Sequence, residues 1–279
     1  MINYLKLIKP NIVFGNLLSF FCGMSISCTT KIDMKILICL FISIFLIISS
    51  SCIINNIIDR NFDKIMNRTK TRFILIKKIS IFYLYIVSLI FCFLGFLIFY
   101  FLVNFYSFIV ILLGYFLYTI PYSMYSKKKK LLFNLFLGCI SGSSPIIGGY
   151  LALNKNINFF IVFFLFVILF SWQIPHFISI FLYYLNEYKV AKIQTLNELY
   201  KFSFINSLYL IFFFIFFVFS ILFLFYINVS YILIFIFFFI NILWIIVSLN
   251  NFFCKKLKIN ISIISIFSFF IFIISNNFL

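Results

Sequence analysis

Long apolar runs separated by short polar breaks recur from one end of the chain to the other. Nine of them, near residues 11–28, 36–58, 79–100, 106–126, 132–153, 159–184, 204–226, 231–249 and 259–275, approach or exceed the ~20 residues that a bilayer span needs. They show none of the period-2 alternation of a transmembrane barrel. In lipid their backbone groups must therefore be paired within helices. The pattern predicts an all-α polytopic membrane protein of about nine transmembrane helices. It forms a single domain over residues 1–279, with no tandem repeat and no soluble domain.

The polar breaks carry the orientation. With the N-terminus inside and the spans alternating, all the basic residues except Lys31, Lys35 and Lys155 fall on one face. That is the bias expected of a cytoplasmic side, so the N-terminus is placed in the cytoplasm and the C-terminus outside. The acids sort the same way: Asp59, Asp63, Glu187 and Glu198 lie inside and only Asp33 outside. Polar chemistry is thus expected at the cytoplasmic mouth, in the two long loops 59–78 and 185–203. Residues 1–10 carry Lys6 and Lys9 but no small-residue cleavage site, and read as the lead into a retained first span.

Composition sharpens this picture. Of the 279 residues 66% are hydrophobic and only 10% charged, against roughly 25% charged in a soluble domain; mean hydropathy is +1.24. A net charge of +17 in a soluble protein would suggest a nucleic-acid surface. Here the bases punctuate apolar runs, so topology explains them and no nucleic-acid partner is expected. Seven cysteines, with no C-x-x-C pair and a single His, fit neither a zinc site nor a disulfide framework. Alanine appears only as Ala152 and Ala191, while Phe, Ile, Lys, Asn and Tyr abound. Such a bias makes the residues that resist it the informative ones.

They gather after the second span. Asn55, Asp59 and Asp63 stand at i, i+4 and i+8, drifting only about 80° around a helix with about 6 Å of rise per step. Two carboxylates and an amide oxygen on one face are hard ligands suited to Mg²⁺, an ion held by one or two carboxylates plus substrate phosphates. Arg60, Arg68 and Arg72, the only arginines in the chain, follow at once, with Lys70 between them. Arginine offers phosphate a planar donor fork that lysine lacks. The spacing and the arginines favour metal-bridged phosphate binding over a basic loop whose acids merely pair with its bases.

The string Asn55-x-x-x-Asp59-x-x-x-Asp63, followed by Arg68-Thr69-Lys70-x-Arg72, resembles the first aspartate-rich motif of the UbiA-type intramembrane prenyltransferases. Its wording around Met66 is similar to the haem-farnesylating branch, the protoheme IX farnesyltransferases. Three further stretches agree: residues 9–16 (Lys-Pro-Asn-Ile-Val-Phe-Gly-Asn), 141–148 (from Ser141-Gly142 through Pro145 to Gly148) and 172–177 (Trp-Gln-Ile-Pro-His-Phe). The likeness covers residues 4–200 well and the last three spans by hydropathy only. It implies helices enclosing an intramembrane cavity in a bacterial cytoplasmic (inner) membrane, Mg²⁺ as cofactor, and farnesyl diphosphate and haem B as substrates. The product would be haem O, made for a terminal oxidase. That oxidase or a haem A-forming enzyme is a candidate partner, besides the lipid bilayer itself.

Carried over residue by residue, the likeness implies catalysis by Asp59, Asp63, Arg68 and Lys70. Diphosphate would meet Asn55, Arg60, Arg72, Lys127, Lys128 and Tyr188, and the metal would take Asp59, Asp63, Asn55 and Glu187. Lys127 or Lys128 reaches the diphosphate, the rest of the run 127–130 facing lipid headgroups. The acceptor would meet His176, Trp172, Gln173 and Asn16. His176, the one His of the chain, is by itself either a packing residue in an apolar helix or an axial ligand for haem iron. The chain departs from the family at Glu187, where an Asp is usual, at Tyr184, where many relatives carry Arg, and at Gln194, where Pro is common. The alternative readings are prenylation of a quinone precursor such as 4-hydroxybenzoate, a transporter, and a structural subunit.

Overall fold

The computed structural model describes residues 6–27, 33–70, 79–123, 131–154, 157–193, 196–249 and 255–278. After a single 3₁₀ turn at Lys6–Ile8 come α1 (Pro10–Ser27), α2 (Met34–Asp63), α3 (Ile81–Leu102), α4 (Phe105–Leu117), α5 (Leu131–Ala152) and α6 (Phe159–Tyr183). Two short helices follow, α7 (Leu185–Val190) and α8 (Leu196–Leu199), and then α9 (Phe202–Tyr226), α10 (Tyr231–Leu249) and α11 (Lys255–Phe278). Among the described residues there is no strand, and nine helices are long and apolar enough to cross a membrane. The protein is a multi-pass membrane protein of the all-helical class that its hydrophobic pattern predicts.

The polar breaks between the runs act as caps. Asp33 accepts from the Lys35 N–H at 3.0 Å, Ser80 from Tyr83 at 3.3 Å, Asn104 from Ser107 at 2.9 Å and Asn158 from Phe160 at 2.9 Å. Each satisfies a backbone donor that a helix start would otherwise leave open. Asn104 does more: its amide donates to the carbonyls of Leu151 and Asn154, and its N–H to that of Ala152, closing the end of α5. Asn104→Ala removes the cap and both amide donations. Its expected cost is about 1–2 kcal/mol, read as a lowered midpoint of thermal unfolding.

The chain divides into two compact units, the first comprising Met1–Asn156 with Asn186–Gln194 and the second Ile157–Leu185 with Thr195–Leu279. In the first, α2 packs along α3 and α1 along α5, around Phe20, Ile44, Ile47, Leu84 and Phe99. The α1–α5 approach depends on two glycines. A Cβ on Gly149 would run into the Phe20 carbonyl, and one on Gly23 into the Ile146 carbonyl. Small residues that let backbones touch are the usual device where lipid is as apolar as a side chain. Ser50, 3.3 Å from the Ser88 hydroxyl and 2.9 Å from that of Tyr115, ties α2 to α3 and α4.

In the second unit α6 packs on α9 and α11, and α10 on α11. Its interior is aromatic, with Phe216, Phe223, Phe237, Trp244 and Phe269 buried. Within it Asn241 is paired at both ends of its side chain: its amide donates to the Phe237 carbonyl and its oxygen accepts from Ser265 on α11, both at 2.8 Å.

Candidate active site

The second helix outruns the apolar stretch that defines it. The hydrophobic pattern ends it near residue 58, but no Pro or Gly interrupts 55–63, and the helix continues to Asp63. Asn55, Asp59 and Asp63 therefore share one face of one continuous helix, the register their spacing predicts. Asp63 is only 1% exposed and Asp59 is half-buried. Carboxylates in the last turns of a 30-residue helix sit at the negative end of its dipole, an arrangement that costs energy unless a cation offsets it.

The turn after the helix winds back over its end. Thr69 donates its hydroxyl to the Asp63 carbonyl at 3.1 Å, while the N–H groups of Thr69 and Lys70 reach the Met66 carbonyl at 3.0 and 2.9 Å. Thr69 is buried and Arg68 and Lys70 are exposed, Lys70 donating to Asn67 at 2.8 Å. The turn is held from outside by α7: the Arg68 N–H donates to Glu187 Oε2 at 3.1 Å. Beneath that bond Met66, Ala191 and Ile193 form a small apolar cluster against Phe62 and Tyr188. Two loops remote in sequence thus close on one another within the first unit, which brings Glu187 and Tyr188 to the Asp63 end of α2.

The other end of the constellation is stitched to the N-terminal segment. Lys9, in the left-handed backbone region at φ 52°, donates its ammonium to Asn55 Oδ1. The Asn55 amide donates to Ser123 Oγ at 3.2 Å, and Asn56 donates to the Leu7 carbonyl at 2.6 Å. The oxygen expected to ligate a metal is thus held by the nearest cation, and Asn55 anchors Lys9. Arg60 is half-buried on the last turn of α2. Arg72, Lys127 and Lys128 lie outside the described residues.

The expected acceptor residues fall in both units. Asn16, on α1 of the first, donates to the Ile12 carbonyl of its own helix at 2.8 Å. Trp172, Gln173 and His176 lie on α6 of the second. Gln173 is buried, and the rings of Trp172 and His176 stack with centroids 4.7 Å apart and planes 16° from parallel. Both rings bond to Ser262 of α11: Trp172 Nε1–H donates to its carbonyl at 2.9 Å, and His176 Nδ1 is 2.7 Å from its hydroxyl. Lys9, Ser123 and Ser262 are absent from the site read out of the sequence. Lys9 opens the family-like stretch 9–16 and Ser262 belongs to the stripe Ser262, Ser265 and Ser268 of α11, whereas Ser123 carried no signal.

Among the described residues no three His, Cys, Asp or Glu side chains gather into a metal site. Asp59 and Asp63, two carboxylates a turn apart on one helix face, nevertheless suit a cation that the protein holds only in part. Mg²⁺ takes this form of site when substrate phosphates supply the remaining ligands.

The fold is all-helical and spans a membrane, with acids, arginine and lysine at the end of one helix. The pattern of the UbiA prenyltransferase family matches residues 16–273, and the chain belongs to that family. A protoheme IX farnesyltransferase of Buchnera aphidicola subsp. Cinara cedri is 40% identical over 199 residues, 70% of each chain. One from Wigglesworthia glossinidia brevipalpis is 35% identical over 265 residues, 94% of this chain and 90% of that one. Among solved structures, a digeranylgeranylglyceryl phosphate synthase matches with a TM-score of 0.75 at 20% identity, over 98% of both chains. A UbiA homologue from Archaeoglobus fulgidus bound to GPP and Mg²⁺ matches at 0.73 and 16%, over 98% of this chain and 99% of that one.

Proposed function

We propose that the protein converts haem B to haem O, transferring a farnesyl group from farnesyl diphosphate to a haem vinyl group with addition of water. The observation that carries this reading is the continuous helix through Asp63, with Glu187 folded onto its end, in a chain whose relatives along nearly its full length are protoheme IX farnesyltransferases. The archaeal neighbour supports prenyl diphosphate and Mg²⁺ as the ligands of such a fold. The charge bias of the loops supports a site on the cytoplasmic side of the bacterial inner membrane.

Asp59, Asp63 and Glu187 would hold Mg²⁺, and Asn55 would join them where its oxygen exchanges the Lys9 ammonium for the metal. When bound, the metal neutralises phosphoryl charge. Arg60, Arg68 and Lys70, with Arg72 and one of Lys127 and Lys128, take up the charge that develops as diphosphate leaves. Tyr188 borders the same turn. The farnesyl C1–O bond breaks with its electron pair going to diphosphate. The vinyl π electrons then form the new C–C bond, and water adds at the cation left beside the ring, giving up a proton. Aromatic faces, abundant in this chain, suit a cation that must be kept from water until then.

Glu187 separates two contributions. Glu187→Gln keeps an acceptor for the Arg68 N–H but loses the charge. It is expected to raise the Mg²⁺ concentration needed for half-maximal rate without altering thermal stability. Glu187→Ala is expected to do both. Titration of activity against Mg²⁺, beside a melting curve, checks the pair.

The acceptor is tested by competition. Purified protein given farnesyl diphosphate with equal haem B and 4-hydroxybenzoate is expected to consume the haem and leave the benzoate. Prenylated benzoate with unchanged haem would overturn the acceptor while leaving prenyl transfer intact.

A further inference from the structure

The hydrogen bonds around His176 decide which of its ring nitrogens carries the proton. Ser262 is fully buried, and its hydroxyl has one hydrogen and two neighbours. One neighbour is the Ile259 carbonyl at 2.7 Å, which can only accept. The other is His176 Nδ1, also at 2.7 Å. If the hydroxyl hydrogen points to Ile259, the oxygen presents lone pairs to Nδ1, and both short contacts are hydrogen bonds provided Nδ1 carries the hydrogen. In the opposite tautomer one hydrogen serves two acceptors, and one of the two buried contacts becomes a repulsion between lone pairs. The arrangement satisfied in full is the Nδ1–H imidazole.

The rest of the cluster keeps the ring in that pose. Trp172 lies one helical turn before His176, stacks on its face and donates its indole N–H to the carbonyl of the same Ser262. One residue of α11 therefore fixes two side chains of α6. Pro175, within α6, has no N–H for the Ser171 carbonyl, and one turn further on Ser179 donates its hydroxyl to the Pro175 carbonyl at 2.8 Å. The outcome is a neutral imidazole whose Nδ1–H is engaged and whose Nε2 holds the lone pair. A histidine so oriented through its second nitrogen is a metal ligand prepared in advance.

We infer that Ser262 is a positioning residue that holds His176 in the Nδ1–H tautomer, so that Nε2 ligates the iron of the tetrapyrrole acceptor. This rests on the acceptor proposed above and assigns the group that grips it, distinct from the carboxylates that serve the diphosphate.

Because the chain has one His, labelling histidine with ¹⁵N in both ring positions gives a spectrum of a single site. The probe is gallium(III) protoporphyrin IX, a diamagnetic stand-in for haem, added to the full-length protein in nanodiscs. Before addition, Nδ1 is expected to show a directly bonded hydrogen and Nε2 the signal of an unprotonated nitrogen. On addition the Nε2 signal moves and the Nδ1–H remains. Ser262→Ala is expected to lose the single tautomer and to weaken porphyrin binding roughly 10–100-fold, the usual effect of removing a ligand's outer partner. Ser262→Thr, which keeps the hydroxyl, restores both.

A ligand-free protein protonated at Nε2 overturns the tautomer assignment. A Ser262→Ala protein with the parent spectrum and affinity overturns the positioning role. Porphyrin that binds, seen by its absorbance, without moving the Nε2 signal overturns the ligation and leaves the acceptor reading standing. Absence of porphyrin binding together with unconsumed haem B removes the acceptor reading itself.

Discussion

Asp63→Asn is expected to abolish measurable turnover while leaving the fold intact. The two side chains have the same shape, so the change removes one negative charge from a residue 1% exposed at the end of a 30-residue helix. That charge sits at the unfavourable end of the helix dipole, as expected of a residue that serves a cation. Losing an anchor for metal-held diphosphate, in a step whose barrier is set by leaving-group charge, is expected to cost roughly 10²–10⁴ in kcat. Asp59→Asn should fall in the same range, since it occupies the same face one turn earlier. Asp33→Asn is the matched control: Asp33 caps the start of the same helix, and asparagine caps as well as aspartate. Its activity is expected to stay within a factor of two or so. Single-turnover rates for the three variants, with circular dichroism to verify helix content, check the prediction.

A second large effect is expected from one methyl group. Gly23→Ala or Gly149→Ala places a Cβ against a main-chain carbonyl of the facing helix, Ile146 in one case and Phe20 in the other. No rotamer can move aside, so α1 and α5 must part, with an expected cost of ~1–3 kcal/mol or more. Gly15 lies on α1 with nothing within 4 Å of its added Cβ. There the same substitution should stabilise by up to about 1 kcal/mol, because alanine is the better helix former. One helix, one kind of substitution and opposite signs: melting temperatures of the purified variants in one detergent test the pair. Equal shifts for Gly15→Ala and Gly23→Ala would contradict the close approach.

The spans were legible because hydropathy is a local property: α6 and α10 begin where the pattern puts them. The end of α2 was not, because residues 59–63 are polar and hydropathy stops where helix does not. The Asn55, Asp59 and Asp63 face was readable from spacing alone. What completes it depends on side chains meeting across long separations, Lys9 with Asn55 over 46 residues and Arg68 with Glu187 over 119. No periodicity encodes such pairings. The resemblance marked residues 172–177 as a unit, but Ser262 lies some 86–90 residues further along the chain, in a helix recognised by hydropathy only. Its place beside His176 emerges from the packing of α11 on α6.

The central claim is that this chain farnesylates haem. It is tested most directly by incubating the purified protein in nanodiscs with farnesyl diphosphate, Mg²⁺ and haem B, then extracting the haem for mass spectrometry. The expected product has the mass of haem B plus one farnesyl group and one hydroxyl, with diphosphate released in equal amount, and it is absent from the Asp63→Asn protein. Haem B recovered unchanged from the intact protein, with farnesyl diphosphate unconsumed, would contradict the account.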